Sequence, residues 1–428
     1  MPLFAPQPAR QPFSASVGAL LLAFGALTAP GGCSLFFDGD GYSNDKEGDA
    51  GGGGSASGAK GEGGASGGGA ASGGSGGDAP GGGNGGTAGG AGGAGAGGAG
   101  GTCAADLAND ASNCGACGHD CRGAACSGGR CAPVPLTNGE ADITSLQLTG
   151  SDVVYHANFT IRRVPLAGGL PVTLVGEHRV DVPGLAISPG GDTFYSNVDG
   201  CHLLLGKVAD GAPITTKIQC LTRVIALTPD WLIYEWEWSI FRTEVGLTAT
   251  GEDLPIGYAG EMTPGPGFRS SAANDETVFY LTKKGSLGYG PIATGAWSTI
   301  SDGYAAPGGM AVDATTLFWL AETDGGGGKL FARPLSGVTA PLAENLPRPN
   351  EVAIDGTYAY VTLEGTPPGY DDGRIVRVPR AGGAVELLAD GQKRPGAIQV
   401  NGDFVVWANR GTETETGYVG GSIQRLAK

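Results

Sequence analysis

Three features of the sequence predict an all-β chain closed into a ring of repeated sheets. The first is a recurring strand that ends in an aromatic: Val153-Val-Tyr155, Thr193-Phe-Tyr195, Leu232-Ile-Tyr234, Val278-Phe-Tyr280, Leu317-Phe-Trp319, Tyr358-Ala-Tyr360 and Val405-Val-Trp407. The final aromatics lie 40, 39, 46, 39, 41 and 47 residues apart, a period that suits one four-stranded blade per repeat. The second is punctuation: Asp, Asn or Gly separates apolar runs of strand length, as tight turns between antiparallel strands require. The third is that the two ends complement each other. The seventh repeat carries three strands, and residues 133–137 supply a fourth, because Val134-Pro-Leu-Thr-Asn-Gly-Glu140 aligns with Glu386-Leu-Leu-Ala-Asp-Gly-Gln392. A terminal strand borrowed in this way removes the open sheet edges. The expectation is a seven-bladed β-propeller over residues 133–428, with six blades as the alternative count. An open β-solenoid or a pair of sandwiches explains neither the even repeats nor the matching ends.

The elements ahead of the ring follow in order. Residues 1–16 are polar with one cation, Arg10, and residues 17–29 form an apolar run. Thirteen residues are too few to span ~30 Å of hydrocarbon, so residues 1–32 read as a signal peptide. Pro30-Gly-Gly-Cys33 then resembles the lipobox of bacterial lipoproteins, which implies that Cys33 is lipidated and becomes the new N-terminus. Ordinary secretion with an incidental Cys33 is the alternative. Residues 33–102 read as a lipid-anchored, disordered tether. Of the 83 glycines in the chain, 29 fall in residues 51–101. Such a Gly/Ala/Ser tract cannot bury enough apolar surface to offset its ordering entropy, and ~51 residues of random coil span roughly 40 Å.

Cys103, Cys114, Cys117, Cys121, Cys126 and Cys131 fall within 29 residues. Leu107 is the only large aliphatic residue among them, so cross-links must stand in for a core. An even count in an exported segment reads as three disulfides; the Cys114-x-x-Cys117 spacing keeps a zinc site as the rival. The connectivity is open, because six cysteines allow 15 pairings. The string Asn113-Cys-Gly-Ala-Cys-Gly118 with its Gly-x-Cys ending resembles the Stig1-type cysteine-rich module, also common in myxobacterial exported proteins. His119 reads as a solvated loop residue.

Within the ring, third strands such as Ile375-Val-Arg-Val-Pro379 lead into Gly-rich turns such as Ala381-Gly-Gly383. This wording resembles the NHL/TolB-like and YWTD-like propellers of bacterial exported proteins. The resemblance implies architecture and leaves the ligand open. The net charge of −16 excludes sequence-blind nucleic-acid binding, which needs a basic footprint.

No nucleophile elbow, phosphate loop or metalloprotease helix is present. His156 and His178 both fall in blade 1, and no second blade supplies a matching histidine. No catalytic residue, resident metal or cofactor is therefore assigned. Loop length is the distinguishing feature. On the face shared by the second-to-third-strand loops and the blade crossings, loops 321–329, 363–374 and 409–422 are long. They carry Glu322, Asp324, Glu364, Tyr370, Asp371, Asp372, Glu413, Glu415 and Tyr418, and blade 3 adds Trp236 and Trp238. Acids mixed with aromatics suit a sugar, a cationic peptide or a loop-bound Ca²⁺. Arg348, Lys393 and Arg394 on the neighbouring crossings are placed to pair with those acids. The expected function is a non-enzymatic cell-envelope lipoprotein of the outer membrane or cell surface. Its propeller, in the periplasm or outside the cell, would bind a protein, peptide or glycan; the alternative is a lyase or hydrolase of an extracellular polysaccharide or peptide.

Cys201 and Cys220 remain, both in blade 2. A turn at Asp210-Gly211 gives a hairpin whose paired positions sum to 421, which sets the two cysteines opposite each other and within disulfide reach.

Overall fold

The computed structural model describes residues 105–176, 184–198, 202–210, 213–216, 223–236, 239–245, 254–258, 268–323, 327–415 and 417–428. All lie in one compact unit, Ala56–Lys428; the preceding unit, Met1–Ser55, falls outside the described residues. The signal segment, Cys33 and the glycine tract fall outside them as well.

Seven four-stranded antiparallel sheets follow one another along the chain. Blades 1 to 6 are each continuous in sequence. Blade 6, for example, runs Pro349–Ile354, Tyr358–Leu363, Gly373–Pro379 and Glu386–Gln392 from the inside outward. Blade 7 is composite: Pro395–Val400, Phe404–Asn409 and Gly421–Ala427 come from one end of the chain and Val134–Glu140 from the other. The closing strand is thus longer than the expected 133–137. Each innermost strand touches the next around the ring, and Pro395–Val400 touches Ser145–Leu148 of blade 1. The count is seven blades, and the ring is closed.

The second strands explain the aromatic repeat. Each is covered by a neighbouring blade on both faces, so it is buried along its length rather than on alternate residues, with an apolar centre. Phe404–Asn409 is buried at every position but its first, and Asp152–Ala157 at all six. The seven recurring aromatics, Tyr155 to Trp407, are all buried. The turn residues act as expected too. In blades 4 to 7 the Oδ1 atoms of Asn274, Asp313, Asp355 and Asn401 each accept the backbone N–H groups two and three residues on, at 2.7–3.0 Å. These are Asx turns, which fix the link between first and second strands.

A second repeated device joins each blade to the next. Gly139, Gly303, Asn345 and Gly391 near the ends of outer strands all have left-handed φ, between 59° and 87°, a region that favours glycine. The kink directs the following residue into the next blade. Glu140 accepts a 2.9 Å hydrogen bond from the Tyr155 hydroxyl, and Gln392 accepts one of 3.0 Å from Trp407 Nε1. Tyr304 meets Trp319 edge-on at 5.8 Å, and Leu346 joins the apolar cluster of Val352 and Val361. Because Tyr304 offers a ring where Gln392 offers an oxygen, Trp319 Nε1 has no hydrogen-bond partner.

The cysteine module precedes the ring and packs on it. Disulfides join Cys114 to Cys126 and Cys121 to Cys131, and Cys117 is also disulfide-bonded; Cys103 lies outside the described residues. The sulfurs of Cys114, Cys121 and Cys131 lie within 4.8 Å of one another. All three are committed to disulfides, so no thiolate remains for the rival zinc site. His119 is a correction to the solvated reading. It is half-buried, with Nδ1 2.5 Å from the Cys114 carbonyl, since the two disulfides draw the short chain around it.

In blade 2 the paired part of the outer hairpin runs from Leu203 opposite Thr216 to Gly206 opposite Pro213. The paired positions sum to 419, not the expected 421. The chain turns at 208–210, so the Asp210-Gly211 signal does not set the register. Cys201 and Cys220 themselves lie outside the described residues.

Glu140 gives a test of the closure. It is buried, and it accepts from Tyr155 and, at 2.5 Å, from Arg162. Glu140→Ala leaves a phenol and a guanidinium without their acceptor, and should lower the unfolding free energy by about 3 kcal/mol. Urea denaturation checks this; a loss below about 1 kcal/mol would show that the closing strand does not rely on this contact.

Candidate functional site

On the loop face, the chain from blade 6 to blade 7 folds around one arginine. The crossing residues Arg348 and Arg394 each precede a proline and have left-handed φ of 47° and 54°. Arg394 is 4% exposed. Its Nε donates to Glu364 Oε1 at 2.9 Å, and its Nη1 forms an ion pair with Glu413. Arg348 Nη2 donates to the other Glu364 oxygen at 2.9 Å. The Arg394 guanidinium also lies over two rings, Tyr370 at 4.2 Å and Tyr418 at 4.8 Å from their centroids, where the aromatic faces attract a cation.

The backbone holds these side chains in place. Glu364 directly follows the second strand of blade 6, Tyr358–Leu363. The loop beyond it is tied by Asp372, which accepts from Thr366 N at 2.6 Å and Thr366 Oγ1 at 2.8 Å. The Tyr370 carbonyl accepts from Arg394 N at 3.0 Å. In blade 7, Thr412–Thr414 pairs with Gly417–Val419 as a small hairpin that sets Glu413 opposite Tyr418. Asp142, on the crossing from blade 7 to blade 1, accepts from Tyr418 N at 2.6 Å. Blades 6, 7 and 1 are thereby joined on this face.

The electrostatics follow from burial and pairing. Burial alone would raise the Glu364 carboxyl, but Arg394 and Arg348 outweigh it and hold the group below its usual 4.5. Burial is the largest influence on Tyr418 and raises its hydroxyl, against the opposing pull of Arg410 and Arg394. On the opposite face burial would likewise raise Asp355, but Lys428 and the Tyr358 and Thr357 N–H groups hold it at about 2.

Of the residues singled out from sequence, the structure brings together Glu364, Tyr370, Glu413 and Tyr418. Asp371 and Asp372 lie in the same loop; Asp371 is exposed and 3.7 Å from Lys393, while Asp372 turns back on Thr366. Glu415 is exposed at the hairpin tip. Glu322 stands apart in blade 5, where its N–H donates to Ala305 O at 2.8 Å. Trp236 lies in the second strand of blade 3, Trp231–Trp236; its side chain, Trp238 and Asp324 lie outside the described residues. The expected pairing of the crossing cations with the loop acids is what the structure shows. Glu364 and Glu413 are therefore internal partners of arginine. Among the described residues, no three of the acids on this face converge as a cation site would require.

The mouth of the central channel carries a polar belt that the sequence reading missed. Arg223 opens the first strand of blade 3 and donates to Glu235 at 3.1 Å and to Ser271 of blade 4 at 2.9 Å. Arg269 of blade 4 passes over blade 5 and donates to Asn350 of blade 6 at 3.2 Å, with Glu351 at 3.9 Å. Glycine makes this reach possible: a Cβ on Gly309 would fall 2.1 Å from Glu351 Oε2. In blade 1, His156 Nε2 is 2.7 Å from Ser196 Oγ of blade 2, and both residues are buried. Ser196 Oγ also lies 3.0 Å from Gly184 O, which ties this pair to the residue just before the first strand of blade 2. His178 lies outside the described residues.

A closed ring of seven four-stranded sheets defines the class: the chain is a β-propeller with a disulfide-bonded module ahead of it. No protein-family model matches the chain, and no curated protein matches it. Among solved structures it is similar to U3-55K, with a TM-score of 0.51 and 14% identity over 69% of this chain and 98% of that one. It is similar also to the Cps50 (Swd1) β-propeller domain of Myceliophteria thermophila, with a TM-score of 0.50 and 14% identity over 69% and 99% of the two chains. The RRP9 WD40 repeats give a TM-score of 0.50 and 14% identity over 69% and 97%. At these identities the likeness is one of fold.

Two predictions follow from the arginine cluster. Arg394→Gln removes the partner of a buried carboxylate and should cost about 3 kcal/mol of stability, whereas Asp371→Ala should leave the melting temperature unchanged; thermal unfolding of both variants decides this. The second concerns pH. Glu364 titrates lower in the folded chain than in the unfolded one, so its contribution is complete above about pH 4.5 and is lost as pH falls through its lowered value. Unfolding free energy should therefore decline from about pH 4.5 downward, with Asp355 extending the decline towards about pH 2. Arg394→Gln should flatten the upper part of that decline, because burial of Glu364 then goes largely unopposed. An identical slope in the variant would remove Glu364 from the account.

Proposed function

We propose that the chain is an exported, lipid-anchored envelope protein whose propeller is a non-enzymatic binding module. Its loop face across blades 6 and 7 takes up a protein, peptide or glycan partner. The observation that carries this reading is the Arg394 cluster. It fixes two long loops from adjacent blades before any ligand arrives, and a surface ordered in advance loses little entropy on binding. The exposed groups Asp371, Glu415 and Val419 stand on that fixed base. The opposite end of blade 7 is covered: Arg122 of the cysteine module pairs with Asp403 in its first turn. Among the described residues, the module sits at the end opposite the loop face. Pairing of Arg223 and Arg269 with glutamates at the channel mouth favours a scaffold over a catalytic centre. The apolar run 17–29 followed by Cys33 supports export and anchoring, and the cysteine module and repeat wording support a bacterial envelope protein of the Stig1-like and NHL/TolB-like or YWTD-like kind.

Site-specific photo-crosslinking in the native host tests the binding face. A crosslinking residue at Asp371 or Glu415 should capture a polypeptide or glycan, and one at Val385, on the far turn of blade 6, should not. Capture from Val385 alone, or from none of the three, overturns the assignment. Mass spectrometry of the mature protein tests the anchor independently: it should begin at a lipidated Cys33, and Cys33→Ser should move the protein out of the detergent phase.

A further inference from the structure

We propose that the cysteine module is a redox-sensitive clasp on the ring, so that reduction of its disulfides releases the seventh blade while the other blades stay folded. The reasoning starts with the closing strand. Val134–Glu140 is a poor strand by itself. Pro135 has no N–H to give to the ladder, Gly139 has a left-handed φ of 73°, and the register with Gly421–Ala427 breaks twice, between Pro135 and Thr137 and between Asn138 and Glu140. Its middle is held by buried Leu136 and by Thr137 Oγ1, which accepts from Ile423 N at 3.1 Å; the rest of its hold comes from its two ends.

The far end is Glu140, bound by Tyr155 and Arg162 of blade 1. The near end is the module. Cys131 stands three residues before Val134 and is bonded to Cys121. Cys114, Cys121, Ala124 and Cys131 are buried in the same apolar cluster as Trp407, Ile398 and Leu426 of blade 7. Two polar contacts reinforce it: Arg122 with Asp403 at 2.9 Å, and Arg425 Nη2 with the Arg122 carbonyl at 3.4 Å. Arg425 Nη1 also donates to the Leu166 carbonyl of blade 1. Ala353, Tyr360, Ile375 and Ala389 of blade 6 belong to the same cluster, so the module packs where blades 6 and 7 meet and ties the closing strand to Gly421–Ala427. Without its cross-links it has almost no core of its own to hold that shape.

The chemistry is thiol–disulfide exchange with a dithiol reductant. A thiolate of the reductant attacks one sulfur, the protein S–S bond breaks, and a mixed disulfide forms. The second thiol of the reductant then displaces the protein sulfur, leaving two protein thiols and an oxidised reductant; two electrons and two protons pass to the protein per disulfide. Cys114 is fully buried, and Cys121 and Cys131 are buried, whereas Cys126 is half-buried. Cys117, also disulfide-bonded, is exposed, so attack begins at Cys117 and Cys126, and the Cys121–Cys131 bond follows as the module loosens.

Hydrogen exchange of the full chain, with and without dithiothreitol, tests the proposal, with thiol labelling to verify that the module is reduced. Reduction should speed exchange at least tenfold in Val134–Glu140 and Gly421–Ala427, and leave Phe268–Ala273 and Thr277–Thr282 of blade 4 unchanged. The double variant Cys121→Ser/Cys131→Ser should show the same pattern without reductant, which separates the module from any other disulfide. Unchanged protection of the closing strand after verified reduction overturns the proposal. Equal loss of protection in all blades also overturns it, because the module would then support the whole fold and not its seam. The loop-face reading is independent of either result.

Discussion

The closure of the ring rests on the pairing of Val134–Glu140 with Gly421–Ala427. Every second strand carries an apolar centre with side chains on both faces, so each needs a neighbour on both sides. Six blades arranged in an arc would leave two such faces open to water. The ring has no end faces because one blade is assembled from both ends of the chain. That is also why the interaction at the seam is ionic as well as apolar. Glu140 stands where Gln392, Tyr304 and Leu346 stand in other blades, and there the polar version reaches Arg162 as well as the core aromatic.

The fold was largely legible in the sequence, for physical reasons that differ by element. Aromatic spacing revealed the blades because sandwiching buries the centre of the second strand, where a large ring recurs in each blade. Asn274, Asp313, Asp355 and Asn401 revealed the turns because their side chains carry out the turn. The matching of Thr-Asn-Gly-Glu140 to Ala-Asp-Gly-Gln392 revealed the closure, but not that the strand runs to its last residue. The blade 2 hairpin was misread because an Asp-Gly pair marks a favourable turn without fixing where the ladder centres it; the strands close one step earlier, at 208–210.

The site was legible in its parts and not in its arrangement. The acids and tyrosines of blades 6 and 7 stood out by composition, and Arg394 by its place on a crossing. That one buried guanidinium collects Glu364, Glu413, Tyr370 and Tyr418 depends on loop paths set by Asp372, by the left-handed Arg394 backbone and by the pairing of Thr412–Thr414 with Gly417–Val419. None of these has a periodic signature. The channel belt was missed for another reason. Arg223, Arg269 and Glu351 lie within the first three residues of their first strands, and no repeat pattern marks them. The clue available was the Gly308-Gly309 pair at the matching point of blade 5, where the absence of side chains lets Arg269 reach blade 6.

The composite blade also has a consequence in time. Thr137 and its partner Ile423 are 286 residues apart in sequence. At typical synthesis rates of ~5–20 residues per second, roughly 15–60 s separate their emergence from the ribosome. Throughout that interval the first strand made has nothing to pair with, and local contacts can fold blades 1 to 6 in turn. The seam is then the last step and the one of longest range, the kind of contact that slows folding most. A strand that is broken by proline and glycine and capped by a charge is a poor template for wrong partners. The features that weaken Val134–Glu140 in the finished ring therefore also keep it from aggregating during its long wait.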